Sequence, residues 1–354
     1  MPDWFYRTVS RPILFRFPAE TSRSFALGFM GRLARLPFGK HVIDFLGHMS
    51  PDPRLSVSVL GRVYPSAVGL GPYLDPKAIS LPALARFGFG YLEIGPVTPS
   101  GSNQSHPVER RVTEESLLID NTSSLSAAEA LGKIREANQS RLPIVVRIRA
   151  DETTTAHTLT SDCCKVVEQV AKEVAIISIA TIRAAMDRKY SADQWSQHVR
   201  KIVDVAKGLN PDCAVAICIP ADFDLENDRS WLESALASGA LAVLIDGTVL
   251  SSEHNRLIVG KPAEALALRL ISSLRKQCGN GFAIIASGGV HEPKAALAFR
   301  NAGADLVGVD TGLIYSGPGL PKRINDAFLY ENVSRHGKAE VPIALRKGLG
   351  SGPF

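Results

Sequence analysis

Two turns near the end of the chain have the make-up of a phosphate grip. Ser287-Gly288-Gly289 follows a short apolar stretch, Ala283–Ala286, and precedes a helical pattern opened by Pro293. Asp310-Thr311-Gly312 follows a second stretch, Leu306–Val309, and leads into a short turn at Leu313–Tyr315. Glycine lets the backbone come close to a ligand, and a helix start offers unpaired N–H groups at the positive end of its dipole. A phosphate suits such a pair of turns. Asp310 bears on this directly: its carboxylate can cap the short helix and would repel a phosphate dianion, or its side chain can point away. The other charges in apolar surroundings are Arg147 and Arg149, two apart on a strand and hence on one face, with Asp246 at a strand end and Asp75 after one. The eight histidines are scattered without HxxxH or HExxH spacing, so no metal site is expected.

These residues need strands and helices to position them, and the chain supplies both in alternation. Strands are expected at Ala67–Leu70, Tyr91–Ile94, Ile144–Ile148, Ile176–Ile179, Ala214–Ile219, Ala242–Ile245, Ala283–Ala286 and Leu306–Val309. Helical patterns lie between them at Leu81–Arg86, Ala127–Ala137, Cys164–Lys172, Ala192–Lys207, Trp231–Ser238, Ala263–Lys276 and Pro293–Asn301. Short, nearly continuous apolar strands alternating with helices call for a parallel sheet, and eight such units close into a (β/α)8, or TIM, barrel. Two grip turns after its last two strands match the usual phosphate position of that architecture. Pro99 to Ser124 is a long polar insertion after the second strand, of the kind that forms an active-site rim.

Residues 1–50 read as a helical arm. Trp4, Phe5, Val9, Ile13 and Leu14 recur near helical spacing with Arg7, Arg11 and Arg16 between them, and Phe25, Leu27, Met30 and Leu33 continue the pattern after Pro18. Two basic amphipathic helices with aromatic tips fit a membrane interface, and they equally fit a cap on the main domain. The barrel is assigned to residues 51–335 and a flexible, Gly/Pro-rich tail to 336–354.

Composition sets the outer limits. The 354 residues are 45% hydrophobic and 21% charged, which excludes wholesale disorder. A net charge of +5 suits an anionic small ligand or an acidic membrane surface and falls short of a nucleic-acid footprint. No run of ~18 apolar residues exists to span a membrane, and the arginines interrupt any secretory signal. Five cysteines, odd in number and without zinc spacing, read as reduced core thiols of a cytoplasmic protein, with a peripheral seat on the inner face of the cell membrane as the arm's further implication.

From Met1 to about Tyr330 the sequence resembles class 2 dihydroorotate dehydrogenase, the membrane-associated, FMN-dependent, quinone-reducing kind. The resemblance rests on collinear pieces: the arm, Val68-Gly69-Leu70, Gly88-Phe89-Gly90-Tyr91-Leu92-Glu93-Ile94-Gly95 with Val97-Thr98-Pro99, Gly260-Lys261-Pro262, Ala302-Gly303-Ala304-Asp305-Leu306-Val307, and Thr311-Gly312-Leu313-Ile314-Tyr315 with Gly317-Pro318. It implies a flavin-dependent dehydrogenase acting on CH–CH groups in pyrimidine biosynthesis, passing electrons to a quinone under the N-terminal helices. It also implies FMN held by Gly71, Gly260, Gly288, Gly289, Thr311 and Gly312.

The same resemblance exposes departures at the chemistry. The family's base serine after strand 4 falls at Thr181, in Ser178-Ile179-Ala180-Thr181-Ile182-Arg183, without the surrounding asparagines. The flavin lysine of strand 5 falls at Ile217, and the lysine after strand 1 at Pro76, with Lys77 one residue late. The strand 3 asparagine becomes Arg147, the strand 6 Thr-Asn pair becomes Asp246-Gly247, and Pro96 replaces a threonine. The asparagine-rich loop after strand 2 becomes Ile119-Asp120-Asn121-Thr122-Ser123-Ser124. Orientation and preorganised polarity carry most of an enzyme's rate enhancement, so ordinary dihydroorotate oxidation is not expected to survive these changes unaltered.

Two expectations follow. The first is a dihydroorotate dehydrogenase-like FMN oxidoreductase with a changed small-molecule substrate and Thr181 at the base position. The second is a non-catalytic barrel that serves as a binding or regulatory module. At the mouth, Arg147, Arg149 and Lys77 could clamp an anionic ligand beside Asp246, or Arg147 and Asp246 could pair and fill space left by a lost flavin ring.

Overall fold

Each of the eight barrel strands is buried on both faces, one turned to the barrel interior and the other to a helix, which is why the strand sequences read as unbroken apolar runs. The computed structural model describes residues 3–47, 50–103, 106–120, 123–151, 153–252 and 256–336. We number the barrel strands β1 (Val68–Leu70), β2 (Tyr91–Thr98), β3 (Ile144–Ile148), β4 (Ile176–Ile179), β5 (Ala214–Pro220), β6 (Ala242–Asp246), β7 (Ala283–Ser287) and β8 (Leu306–Val309). All neighbours pair in parallel, and β8 closes on β1 through Val307↔Val68 and Val309↔Leu70. The fold is the (β/α)8 barrel expected from the strand rhythm.

Closure at the β8–β1–β2 seam depends on small residues. The Tyr91 ring lies inside the barrel, and a Cβ on Gly69 would fall 2.1 Å from it. A hairpin, Val57–Val59 with Arg62–Tyr64, covers the N-terminal end, setting Tyr64 edge-on to Tyr91 at 6.2 Å. Helix starts are fixed locally: Ser126 with Glu129 and Ser191 with Gln194 form capping boxes, and Pro293 opens the helix that ends at Gly303, φ 113°.

Two features above the C-terminal end are additions to the sequence reading. The insertion after β2 is folded. Glu109–Arg111 and Ser116–Asp120 join Arg256–Gly260 and Thr248–Leu250 in a four-stranded antiparallel sheet that roofs the mouth. The arm holds a third helix, Gly39–Gly47, after Asp3–Leu14 and Ala19–Arg35. The Leu36-Pro37-Phe38 break hides it from a periodicity count. The arm is fastened to the barrel: the Tyr6 hydroxyl donates to Ile314 O (2.7 Å), Arg11 donates to Tyr315 O (2.8 Å), and Phe15 meets Tyr315 edge-on at 5.8 Å. Among the described residues no helix is long and apolar enough to cross a membrane. Asn121, Thr122 and the tail from residue 337 lie outside the described residues.

Candidate ligand site at the barrel mouth

The pleat of β2 and β3 turns Glu93 and Arg147 into the barrel, and β6 ends with Asp246 at its rim. Arg147, 2% exposed, ties them together. Its Nε donates to Glu93 Oε1 (2.7 Å), and its Nη1 lies 2.6 Å from Asp246 Oδ2. The same Nη1 donates to the Tyr73 hydroxyl (2.7 Å), which donates to Asp246 Oδ2 (2.7 Å). Tyr73 stands in the loop after β1, its ring 5.2 Å from the guanidinium carbon, and its backbone N–H donates to Asp310 Oδ1 (2.9 Å). One loop, three strands and the turn after β8 are thus joined through a single guanidinium.

Burial sets the protonation of this group. It works against the Arg147 charge, but Asp246 and Glu93 outweigh it and hold the guanidinium well above its ordinary pKa. Glu93 is pushed up by burial despite Arg147. Asp310 rises to about 7, from burial first and the Glu93 charge second. Burial keeps the Tyr73 phenol protonated and so a donor. Two polar atoms are left over: Asp246 Oδ1 and Arg147 Nη2 are buried without hydrogen-bond partners, although Nη2 lies 2.7 Å from Glu93 Oε1 in the ion pair. A buried acceptor without a donor is costly, so this floor is incomplete on its own.

Above it opens a cavity of about 420 Å³. Arg147, Arg149, Asp246, Arg183 and Arg188 line it, Ile119 and Leu257 of the roof sheet wall it, and the arm contributes Arg23. Arg147, Arg149 and Asp246 therefore come together, and the Arg147–Asp246 pair is formed. Lys77 does not join them. It is exposed, with its charge felt at Glu129 on the outside of the barrel, because the chain passes Asp75 before reaching it and Asp75 is spent capping Ile79 and Ser80.

Thr181 also stands apart from the cavity. It is fully buried, and its hydroxyl meets His198 Nε2 (3.0 Å) while its neighbours Ala180 and Ile182 line the cavity wall. His198 is held on the other side by Thr160 (2.9 Å), is stacked on Trp195 at 5.4 Å, and is kept neutral by burial, which lowers its pKa to about 4.

The phosphate-grip residues cluster behind the cavity rather than in it. Gly288 and Gly289 have φ of 132° and 65°, so both conformations require glycine. The space a side chain would take is filled by protein. A Cβ on Gly247 would lie 2.4 Å from Gly288 Cα, one on Gly289 2.9 Å from Gly260 O, one on Gly312 2.2 Å from Val290 O, and one on Gly71 2.3 Å from Asp310 Oδ2. Thr311 Oγ1 is engaged by His291 Nε2 (2.8 Å), whose Nδ1 meets Glu115 (3.1 Å) and whose ring stacks on Tyr315 at 5.4 Å. Asp310 does not cap the helix Gly312–Ser316, which has no side-chain cap; its carboxylate turns to Tyr73 N.

Tyr73, Glu93 and His291 are residues in and behind the candidate site that the sequence reading passed over. Each left a trace: an aromatic directly after a strand and a Gly-Pro pair, a lone acid in an apolar strand, and an imidazole beside Gly-Gly. Together they bear on the flavin. Of the positions that the resemblance assigns to flavin-ring contacts, 147 and 246 are joined to each other through Tyr73, and 217 is an isoleucine without exposure. The threonine hydroxyl of the phosphate turn is bonded to a side chain. These residues do not fit a flavin.

The family model for dihydroorotate dehydrogenase matches residues 245–330. The chain is 28% identical to the dihydroorotate dehydrogenase (quinone) of Chloroflexus aurantiacus over 92% of its own length and 96% of the relative's. For the enzyme of that name from Deinococcus radiodurans the figures are 27%, 97% and 100%. A solved structure of the dihydroorotate dehydrogenase of Eimeria tenella in complex with ferulenol superposes with a TM-score of 0.76 at 19% identity, covering 92% of this chain and 96% of that one, a likeness of fold. The matching relatives are quinone-type enzymes along nearly the full chain, so the chain is similar to class 2 dihydroorotate dehydrogenases from end to end.

Proposed function

We propose that this chain is a flavin-free member of its family whose barrel mouth binds a small polar molecule, with the arm resting on a membrane surface. One observation carries the reading: the Tyr73–Arg147–Asp246–Glu93 network occupies the positions from which family members would address a flavin ring. Breaking that network to admit a planar cofactor would strand two buried carboxylates without their counter-charge, which is strongly unfavourable. Thr181 has no path to a substrate in the cavity, so dihydroorotate oxidation has no base at its expected position. The purified protein is expected to be colourless at about 450 nm, and added FMN is expected to leave its melting temperature unchanged.

A second reading keeps the flavin. It is favoured by similarity to quinone enzymes along nearly the whole chain and by Gly288 and Gly289, which persist in conformations only glycine adopts. A yellow protein bleached by dihydroorotate would establish it over the first.

The arm's part rests on what it exposes. Trp4, Phe25, Phe29 and Phe38 are 65%, 69%, 60% and 78% exposed, with Arg7 and Arg32 among them. Large exposed aromatics on a basic helical surface fit the interface of an acidic bilayer.

A further inference from the structure

The mouth cavity carries charges of both signs at different places. Its floor is acid-rich: one guanidinium, Arg147, is shared between Glu93 and Asp246, with the Asp310 carboxyl behind them, and Asp246 Oδ1 is a buried acceptor that nothing in the described residues satisfies. The floor therefore lacks a donor, and a positively charged donor serves it best, since burial and mutual repulsion already push Glu93 and Asp310 up. Higher in the cavity Arg23, Arg149, Arg183 and Arg188 stand with Asp120, Asp151 and Asp187. Arg188 donates to Thr154 O through Nε (3.2 Å) and Nη2 (2.8 Å) and to Ala184 O through Nη1 (3.1 Å), so among the described residues the head is fixed by carbonyls and bonded to no carboxylate. A guanidinium fixed by carbonyls presents its charge in a set place, where a carboxylate can be received. Between floor and rim, Ile119, Ile182, Leu250 and Leu257 give the same cavity apolar walls.

We infer that the mouth cavity binds a zwitterion of the α-amino-acid type with an apolar side chain, its ammonium on Asp246 and its carboxylate on Arg188. The inference rests on the flavin-free reading of the mouth given above and goes beyond it by naming the ligand class. A simple anion would leave Asp246 Oδ1 unsatisfied, and a simple amine would leave Arg188 unanswered. Only a ligand with both poles completes the site.

The test uses the full purified chain in a chloride buffer, with thermal melts and calorimetric titration. The probes are the twenty common amino acids, then for each one that binds its N-acetyl derivative, its methyl ester, and inorganic phosphate. An apolar amino acid is expected to raise the melting temperature by about 3 °C or more at saturation, and removing either pole is expected to weaken binding at least about tenfold. Asp246→Asn should cost the amino acid at least about tenfold in affinity, and Arg188→Gln should do the same. Arg188→Lys, which keeps the charge, should recover part of the loss. N-acetyl derivatives or phosphate binding as tightly as the free amino acid would overturn the inference, as would a colourless, folded protein indifferent to all twenty. A yellow protein would instead overturn the flavin-free reading before any amino acid is added, so the two failures are told apart.

Discussion

Replacing Asp310 with asparagine isolates the cost of the crowded carboxyls under the mouth. Asp310 is 7% exposed, accepts the Tyr73 N–H at 2.9 Å, and is held at about 7 by burial and the Glu93 charge against an ordinary value of 3.8. Because the folded-state pKa is raised, the folded protein binds the extra proton between those two values, and stability falls as pH rises through that window. Once ionised, the carboxylate costs the folded state ~4.3 kcal/mol, of which ~1.7 is already present at pH 5, leaving ~2.6 to appear between pH 5 and pH 8. Asp310→Asn keeps an oxygen for the Tyr73 N–H and removes the charge. The replacement amide brings an N–H of its own near Gly71, with a fixed cost of ~1–3 kcal/mol if unpaired. That cost is the same at both pH values and cancels in the difference. Urea unfolding of both proteins at pH 5 and pH 8 should therefore show the variant gaining on the natural protein by ~2–3 kcal/mol as pH rises. A stability difference that does not move with pH, or moves the other way, would refute the placement of Asp310 among buried charges.

Two further outcomes are expected. Arg147→Met leaves Glu93 and Asp246 buried without their shared counter-charge and should destabilise by ~3–5 kcal/mol in urea melts at pH 8, and by less at pH 5, where Glu93, raised by burial, is more readily protonated. Phe25→Ser with Phe29→Ser should leave the melting temperature within about 2 °C of the natural protein, since both rings are exposed, while lowering cosedimentation with vesicles rich in phosphatidylserine at least about threefold.

The barrel could be read from the sequence almost strand by strand, for a physical reason. A strand buried on both faces must be apolar throughout, so Ala67–Leu70 to Leu306–Val309 stand out, and the helices between them carry caps at Ser126, Ser191 and Pro293. The roof over the mouth left a weaker signal. Its strands Glu109–Arg111 and Ser116–Asp120 are short and partly polar, and the second pairs with Arg256–Gly260 some 140 positions later, a pairing no local pattern contains. Within the site, sequence reasoning found Arg147 and Asp246 because charges at strand ends are conspicuous. It could not place Lys77, which a change of chain direction after Asp75 sends outward, nor foresee that the Thr181 hydroxyl turns to His198. Tyr73 shows the limit most sharply: in sequence an ordinary aromatic after a turn, in space the residue that joins Arg147 to Asp246.

Whether the barrel mouth can accept a flavin is open to direct measurement. The protein would be unfolded to strip any ligand, refolded in excess FMN, passed through a desalting column, and its bound flavin measured by absorbance at about 450 nm. The network across the mouth predicts less than about one-tenth of a flavin per chain, with Arg147→Met no more able to hold it. Recovery of one flavin per chain by the natural protein would contradict it.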